Sequence, residues 1–99
     1  MCESKPVLTF YGKPACVQCD ASQRLLAGKP DEAPVEYTYV DVTEDEDAYN
    51  YITRTLGYMQ APVCVVDYGN GVESHWSGFR PDKLRGFMSR ARKWARDDS

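Results

Sequence analysis

Residues 7–19 read VLTFYGKPACVQC, and two different patterns meet within this stretch. The first five residues are mostly β-branched or aromatic, which is typical of a buried strand. Gly12 and Pro14 then predict a loop. Cys16 and Cys19 follow that loop, about one helical turn apart. The stretch therefore predicts a strand that leads through a short loop into a pair of cysteines.

The helix predicted after this loop spans residues 16–27, which contain no glycine or proline. Apolar residues recur there at every fourth position, as expected for a helix with one buried face. These positions are Val17, Ala21 and Leu25. Gly28 and Pro30 predict the end of the helix.

The rest of the chain predicts three more strands and two more helices. Strands are expected at residues 35–42, 62–66 and 72–76, and a glycine-rich turn joins the last two into a hairpin. The apolar stripes of the helices are Ala48, Tyr49, Ile52 and Leu56, ended by Gly57, and Leu84, Phe87, Met88, Ala91 and Ala95. The order β-α-β-α-β-β-α predicts an α/β domain in which three helices flank a four-stranded mixed sheet.

Finer detail is predicted for the second strand and the helix after it. Alternation along the strand predicts one drier face. That face would consist of Val35, Tyr37 and Tyr39. Thr43 and Glu46 have the spacing of a capping box, so Thr43 is expected to cap the second helix.

Composition limits what the chain can be. It has 99 residues, of which 42% are apolar and 27% charged, which fits one globular domain over residues 1–99. No apolar run approaches the about 20 residues that span a bilayer. Residues 1–6 lack the apolar stretch of a secretory signal. We therefore expect a cytoplasmic location.

Charge is distributed unevenly, although the net charge is only −3. Residues 31–47 hold eight acidic and no basic residues, while residues 80–96 hold seven basic residues against Asp82. The acidic run suits the first turn of a helix, and the basic run is typical of a solvated helix face. The acidic net charge and the lack of an aromatic stacking platform argue against nucleic acid as a partner.

The cysteine pair carries the chemistry that the residues predict. Cysteines stand at positions 2, 16, 19 and 64, and a close pair in a reducing compartment is catalytic or metal-binding. Unpaired amides at a helix start stabilise a thiolate and lower a thiol pKa from about 8.5 towards 7, and Lys13 is expected to help. Cys16 is therefore predicted to attack a disulfide on a protein partner. Cys19, more buried and of higher pKa, would then release the reduced partner.

A metal site is the main alternative for these residues. Zinc needs four ligands, and Cys16, Cys19, Cys64 and His75 supply four. The usual spacing of two clustered pairs is absent, so Cys64 and His75 are expected to be ordinary strand residues. Cys2 is expected to be exposed and incidental.

Pro62 opens the third predicted strand, where a proline cannot donate a ladder hydrogen bond. A cis bond there would expose the preceding backbone for docking an extended substrate. A trans proline at a strand start is the alternative, and the residues leave both open.

Two motifs give the chain a resemblance to a known family. Residues 16–19 read CVQC and residues 76–82 read WSGFRPD, with Ala61 and Pro62 between them at the start of a strand. Over about residues 7–84 this pattern resembles the NrdH-redoxins, which are glutaredoxin-like proteins of the thioredoxin superfamily. The resemblance implies a thioredoxin fold with Cys16 as nucleophile, Cys19 as resolving cysteine and Pro62 as the cis-proline. It also implies a partner-docking surface of Tyr11, Lys13, Val17, Gln18, Ala61, Pro62, Trp76, Ser77, Gly78, Phe79, Arg80 and Asp82.

The resemblance further implies a protein disulfide reductase with no bound cofactor. Electrons would pass from NADPH through thioredoxin reductase to the large subunit of class Ib ribonucleotide reductase, in deoxyribonucleotide synthesis. The resemblance also implies that glutathione is not needed. Glutaredoxins hold glutathione with a glycine pair and a nearby acidic group, and here Phe79 and Arg80 occupy the equivalent stretch, which would alter such a pocket. We expect a monomer that binds neither nucleic acid nor membranes.

Two departures from the family pattern leave the choice of partner open, and three other functions are also considered. The loop at residues 29–34 is longer than is typical, and the last helix is longer and more basic. The alternatives are a glutathione- or mycothiol-dependent glutaredoxin or mycoredoxin, a metal- or cluster-binding module, and an interaction domain without redox turnover.

Overall fold

Four strands form one mixed sheet in the order β2-β1-β3-β4. The computed structural model describes residues 5–28, 35–69 and 71–97, with the backbone alone for 95–97. The strands are β1 (Val7–Gly12), β2 (Thr38–Asp41), β3 (Val63–Gly69) and β4 (Val72–Ser77). β1 pairs parallel with β2 and antiparallel with β3, and β3 pairs antiparallel with β4. The predicted four-stranded mixed sheet is confirmed.

The helices fall between the strands in the predicted order. They are α1 (Val17–Ala27), α2 (Glu46–Asn50) and α3 (Pro81–Asp97), and a π-helical segment (Tyr51–Thr55) continues α2. The resulting arrangement is the thioredoxin fold. None of the described helices is long and apolar enough to cross a bilayer.

β3 is the centre of the core because both of its faces are covered. Cys64 and Val66 face a buried cluster that includes Leu8, Phe10 and the apolar face of α3. Val63 and Val65 face a second cluster built around Ile52. A strand buried on both faces reads as a continuous apolar run, which is why residues 63–66 carry no polar position.

The second strand is shorter than predicted, and its face differs. β2 is an edge strand whose pairing with β1 begins at Thr38, so residues 35–37 of the predicted strand are not part of the sheet. Val35 and Tyr37 still pack against the core. Tyr39, predicted on the drier face, is exposed; its ring stacks on Phe10 at 5.7 Å while its outer side meets solvent.

The start of the second helix differs from the predicted capping box. Asp45, not Thr43, is the N-cap, and its carboxylate accepts from Ala48 N at 3.0 Å. The prediction was wrong because the backbone N–H and hydroxyl of Thr43 both donate to Asp41 Oδ1, at 2.8 and 2.6 Å. An Asp that closes its own turn in this way removes the following threonine from the cap position.

The apolar stripe of the second helix is only partly buried. Ala48 and Ile52 are buried, whereas Tyr49 is exposed. The helix widens here to π-helical hydrogen bonding, in which Leu56 N donates to Tyr51 O at 3.0 Å, and this shifts the stripe away from its α-helical positions. The helical stretch ends before Gly57, as predicted, and Gly57 has a φ of 81°.

The hairpin and the last helix follow the prediction closely. β3 begins after Pro62 and runs to Gly69, and β4 ends at Ser77, so both strands extend beyond the predicted ends. Leu84, Phe87 and Met88 are buried, and Ala91 packs against them. The side chains of Ala95 and Arg96, the predicted long loop at residues 29–34, and Cys2 lie outside what the structure describes.

Candidate active site

Cys16 forms the N-cap of α1. β1 ends at Gly12, and the short loop after it delivers Cys16 in an extended conformation with φ −121° and ψ 108°. The sulfur of Cys16 accepts a hydrogen bond from Cys19 N at 3.1 Å. The residue before it, Ala15, has a positive φ of 54°, a conformation that costs a non-glycine residue about 1–2 kcal/mol. The loop is therefore held in a strained shape that places a sulfur on the helix start.

Cys19 lies one turn along α1 beneath Cys16. The two Cα atoms are 5.1 Å apart and the sulfurs are joined as a disulfide. Cys16 exposes 8% of its surface and Cys19 only 1%. Cys16 is therefore the more accessible cysteine of the pair, and the division into attacking and resolving cysteine stays a prediction.

The helix start also supplies the electrostatics of the site. The first amides of a helix have no internal carbonyl partners and carry partial positive charge. One of them, Cys19 N, donates to the Cys16 sulfur. A hydrogen bond to an anion is stronger than one to a neutral group, so this amide stabilises the thiolate of Cys16 more than its thiol. The arrangement favours the nucleophilic form of the outer cysteine.

Pro62 lies beside the cysteine pair, and its peptide bond with Ala61 is cis. The implied cis-proline is thus confirmed. The Cys16 sulfur is 3.9 Å from the carbonyl oxygen of Ala61. The sequence between the π-helical segment and β3 therefore forms one side of the site, opposite the start of α1.

An open groove of about 360 Å³ runs between these two sides. Its lining residues are Lys13, Ala15, Cys16, Val17, Gln18, Met59, Gln60 and Ala61. Val17 and Met59 stand out from its rims, 84% and 85% exposed. Sequence analysis missed Ala15, Met59 and Gln60. The sequence did offer a signal for them, because Ala15 directly precedes Cys16, and Met59 and Gln60 directly precede Ala61. A groove between Cys16 and Ala61 is expected to include such neighbours.

The WSGFRPD segment packs directly against the groove. Trp76 is buried in the core, whereas Ser77 Oγ donates to Gln60 O at 3.2 Å. Gly78 N donates to Pro62 O at 2.8 Å, and Phe79 N donates to Gln18 Oε1 at 2.9 Å. The segment therefore touches both sides of the groove, as a docking surface beside Cys16 would.

Arg80 and Asp82 form an exposed pair at the start of α3. Arg80 Nε and Nη2 donate to the two carboxylate oxygens of Asp82 at 3.2 and 3.1 Å. This hydrogen bonding raises the pKa of Arg80 and lowers the pKa of Asp82. Both groups stay charged at neutral pH. Their docking role remains a prediction.

Tyr11 lies on the other face of the sheet from the cysteine pair. Its ring is 5.8 Å from that of Tyr51, and it packs against the cluster around Ile52. Burial is the main cause that raises the pKa of Tyr11, and the neighbouring Tyr51 adds to it. Tyr11 is not among the residues that line the groove, and its docking role is untested.

The four residues of the alternative zinc site do not form a metal-binding group in the part of the chain that the structure describes. Among the residues that the structure describes, no three His, Cys, Asp or Glu side chains are placed to hold a metal ion. The ring of His75 instead shares a 2.7 Å hydrogen bond with the hydroxyl of Tyr58. Cys64 is fully buried in β3. Burial raises the pKa of the Cys64 thiol to about 12, and the neighbouring Trp76 acts in the opposite direction.

Comparisons with known proteins agree with this geometry. The glutaredoxin family model matches residues 8–69. The gene 56 protein of Mycobacterium phage D29 is 34% identical over 77 residues, covering 78% of this chain and 77% of the phage protein. The glutaredoxin-like protein NrdH of Salmonella typhimurium is 32% identical over 77 residues, covering 78% of this chain and 83% of the relative.

A solved structure extends the similarity to three dimensions. The NrdH-redoxin of Escherichia coli, a glutaredoxin-like protein described as having a thioredoxin-like activity profile, superimposes with a TM-score of 0.62 at 30% identity. The match covers 81% of this chain and 92% of that structure. The matched part therefore includes most of the fold that positions the cysteine pair.

Proposed function

The chain belongs to the glutaredoxin family and, within it, to the NrdH-redoxins, and we propose that it is a cytoplasmic dithiol–disulfide oxidoreductase recharged by thioredoxin reductase. The observation that carries the proposal is the placement of Cys16. Its sulfur caps α1, accepts from an amide of the first turn and opens to a groove, while Cys19 lies buried one turn beneath it. This is the arrangement that a two-cysteine exchange reaction requires.

In the first step the partner becomes covalently bound to Cys16. The Cys16 thiolate attacks one sulfur of the partner's disulfide, so that a mixed disulfide forms and the partner's other sulfur leaves as a thiolate. The exposed rims at Val17 and Met59 and the backbone of Ala61 surround the attacked sulfur. A partner segment in the groove therefore meets apolar side chains and the backbone of Ala61.

The second step releases the partner. The Cys19 thiolate attacks the Cys16 sulfur, the mixed disulfide breaks, and the partner's remaining sulfur leaves as a thiolate. Two electrons have then passed to the partner, and Cys16 and Cys19 are left as the disulfide seen in the structure. The 5.1 Å separation of their Cα atoms suits this closure.

Recharging requires two electrons from another enzyme. We assign this step to thioredoxin reductase, which draws on NADPH, so that the chain itself needs no bound cofactor. The thioredoxin-like activity profile stated for the similar Escherichia coli protein supports this assignment.

The oxidised partner is proposed to be the large subunit of class Ib ribonucleotide reductase. The support is the similarity to several proteins that carry the name NrdH. The chain would act as a monomeric single domain and keep deoxyribonucleotide synthesis supplied with electrons.

A glutathione-dependent glutaredoxin is the second candidate, because the family model that matches residues 8–69 is that of the glutaredoxins. The two candidates share the Cys16 chemistry and differ in what reduces the disulfide. They are separated by the reductant, not by the fold.

The deciding experiment follows NADPH consumption with insulin as the disulfide substrate, in two arms. One arm supplies thioredoxin reductase, and the other supplies glutathione with glutathione reductase. Turnover in the first arm alone is expected, and a class Ib reductase then replaces insulin as the substrate. Turnover in the second arm alone would assign the chain to glutathione chemistry. No turnover in either arm would contradict an oxidoreductase function.

A further inference from the structure

Residues 77–79 tie together the two sides of the groove at Cys16. On one side, Ser77 Oγ donates to Gln60 O at 3.2 Å and Gly78 N donates to Pro62 O at 2.8 Å. On the other side, Phe79 N donates to Gln18 Oε1 at 2.9 Å. The two bonds to residues 60–62 lie at the end of the β3–β4 hairpin that is opposite its turn. The bond to Gln18 joins this segment to the redox helix through a side chain.

The amide oxygen of Gln18 packs closely against Gly78. A Cβ atom at Gly78 would lie 3.0 Å from Gln18 Oε1, so the amide oxygen fits against a glycine where a larger residue would push it away. Gly78 also has a positive φ of 82°, which only glycine adopts readily. Two independent features of Gly78 therefore allow the Gln18 amide to reach Phe79 N.

The bond has a consequence for the shape of the partner-facing surface. Gln18 follows Val17, which stands out from the groove rim, and it holds the backbone of Phe79, a large partly exposed apolar residue. Val17 therefore lies next to Gln18 at one end of this hydrogen bond, and Phe79 lies at the other end. Without the link, Phe79 would still be attached to β4 and α3, but its position relative to α1 would no longer be fixed by a direct contact with the redox motif.

We propose that Gln18 is a positioning residue, which sets Phe79 against the redox helix so that a protein partner meets Val17 and Phe79 as one preformed surface. This deepens the proposed function and rests on it. The oxygen of the Gln18 amide is engaged within the chain by Phe79 N, so through this oxygen Gln18 acts on the position of Phe79.

The test compares three variants of this chain as substrates of thioredoxin reductase. Gln18→Met keeps the length of the side chain and removes the acceptor, while Gln18→Glu keeps an acceptor at the same place. Gln23→Met is the matched control, since Gln23 lies on the same helix and donates to Tyr37 OH at 3.2 Å away from the groove. Each protein is measured for hydrogen exchange at the Phe79 amide and for KM and kcat in the reductase assay.

Loss of one net hydrogen bond is worth about 1 kcal/mol, or about fivefold in an equilibrium. Gln18→Met is therefore expected to speed exchange at Phe79 and to raise KM for the protein in the reductase assay by about fivefold, more than it lowers kcat. Gln18→Glu should keep the Phe79 amide protected and hold KM within about twofold of the wild type. Gln23→Met should leave both readouts unchanged.

Three results would overturn the inference. These are unchanged Phe79 exchange in Gln18→Met, an unchanged KM despite lost protection, and a KM in Gln18→Glu that rises as far as in Gln18→Met. Absence of turnover in the wild-type protein would instead contradict the proposed function. The exchange measurement would still decide whether Gln18 holds Phe79.

Discussion

The start of α1 and the middle of β3 both place cysteines in the same buried cluster, yet they give them opposite chemistry. Cys16 and Cys19 meet at a helix start, where a first-turn amide donates to the Cys16 sulfur and a groove opens beside it. Cys64 lies fully buried between β1 and β4. The residue type is the same in both regions, so its reactivity is set by what surrounds it.

The difference comes from how each region treats a negative charge. A thiolate at Cys16 would gain a backbone donor and the positive end of α1. A thiolate at Cys64 would lose water without gaining a comparable partner, and burial accordingly raises the pKa of that thiol to about 12. The Trp76 indole opposite Cys64 opposes this rise but does not offset the loss of water. A buried thiol in this setting behaves as a small apolar side chain.

The largest effect is expected when one cysteine from each region is replaced. Cys16→Ser should lower disulfide reductase turnover by more than about a thousandfold, because a serine hydroxyl is not ionised near neutral pH. Cys64→Ala should keep turnover within about twofold of the wild type, since Cys64 takes no part in exchange. The measurement is NADPH consumption with insulin and thioredoxin reductase. Retained activity in Cys16→Ser, or its loss in a folded Cys64→Ala protein, would contradict the division.

Replacement of Cys19 distinguishes the roles of the two cysteines in the α1 pair. Cys19→Ser should stop the reaction after the first step, because the mixed disulfide at Cys16 then has no internal attacker. A stable covalent complex with the partner is expected on a non-reducing gel, in most of the protein present, and it should dissolve with dithiothreitol. The matched Cys16→Ser variant should give no such complex. A complex that forms equally well through Cys19 would reverse the assignment.

Alkylation rates compare the ionisation of the Cys16 and Cys64 thiols directly. Iodoacetamide reacts with thiolates. With a pKa of about 12, Cys64 keeps its proton throughout the range from pH 7 to 10. In the reduced Cys2→Ser protein, Cys16 should be labelled at least about a hundredfold faster than Cys64 at pH 7. Raising the pH to 10 should leave Cys64 unlabelled.

Labelling in urea is the control for this experiment. Unfolding returns Cys64 to an ordinary thiol pKa of about 8.5, so all cysteines should then react at similar rates. Mass spectrometry of peptides distinguishes the sites. Rapid labelling of Cys64 in the folded protein would show that β3 does not protect it.

The smallest effect is expected at the surface beside the pair. Arg80→Ala should raise KM with the protein partner by about two- to threefold, since an exposed ion pair contributes little, and should affect reduction by dithiothreitol less. Arg85→Ala is the matched control because it removes the same charge from an exposed position on α3. Equal losses with partner and dithiothreitol would point to a structural role for Arg80. Equal losses in the two variants would point to net charge.

Much of this contrast could be predicted from the sequence because its signals are local. The change from the β-branched run at residues 7–11 to an uninterrupted helical stretch placed Cys16 at a helix start. The continuous apolar run around Cys64 placed that residue in a strand. Periodicity and turn residues report the neighbours along the chain, and these two features depend on such neighbours.

The rest depends on contacts that no local pattern reports. Asp41 engages Thr43 and leaves the helix cap to Asp45, a competition between two acceptors that the capping-box spacing does not reveal. Met59 and Gln60 line the groove only because β3 lies next to β1. The link from Gln18 to Phe79 joins residues 61 positions apart. Each of these three contacts becomes visible only in the folded chain.

The most direct test of the account is a redox titration of the Cys2→Ser protein with Cys64 intact and with Cys64→Ala. Both should show one two-electron transition, in which the ratio of dithiol to disulfide changes tenfold for about 30 mV, with the same midpoint. Adding Cys16→Ser should remove the transition. A transition that survives without Cys16, or one that disappears without Cys64, would contradict the claim that the start of α1 alone carries the exchange.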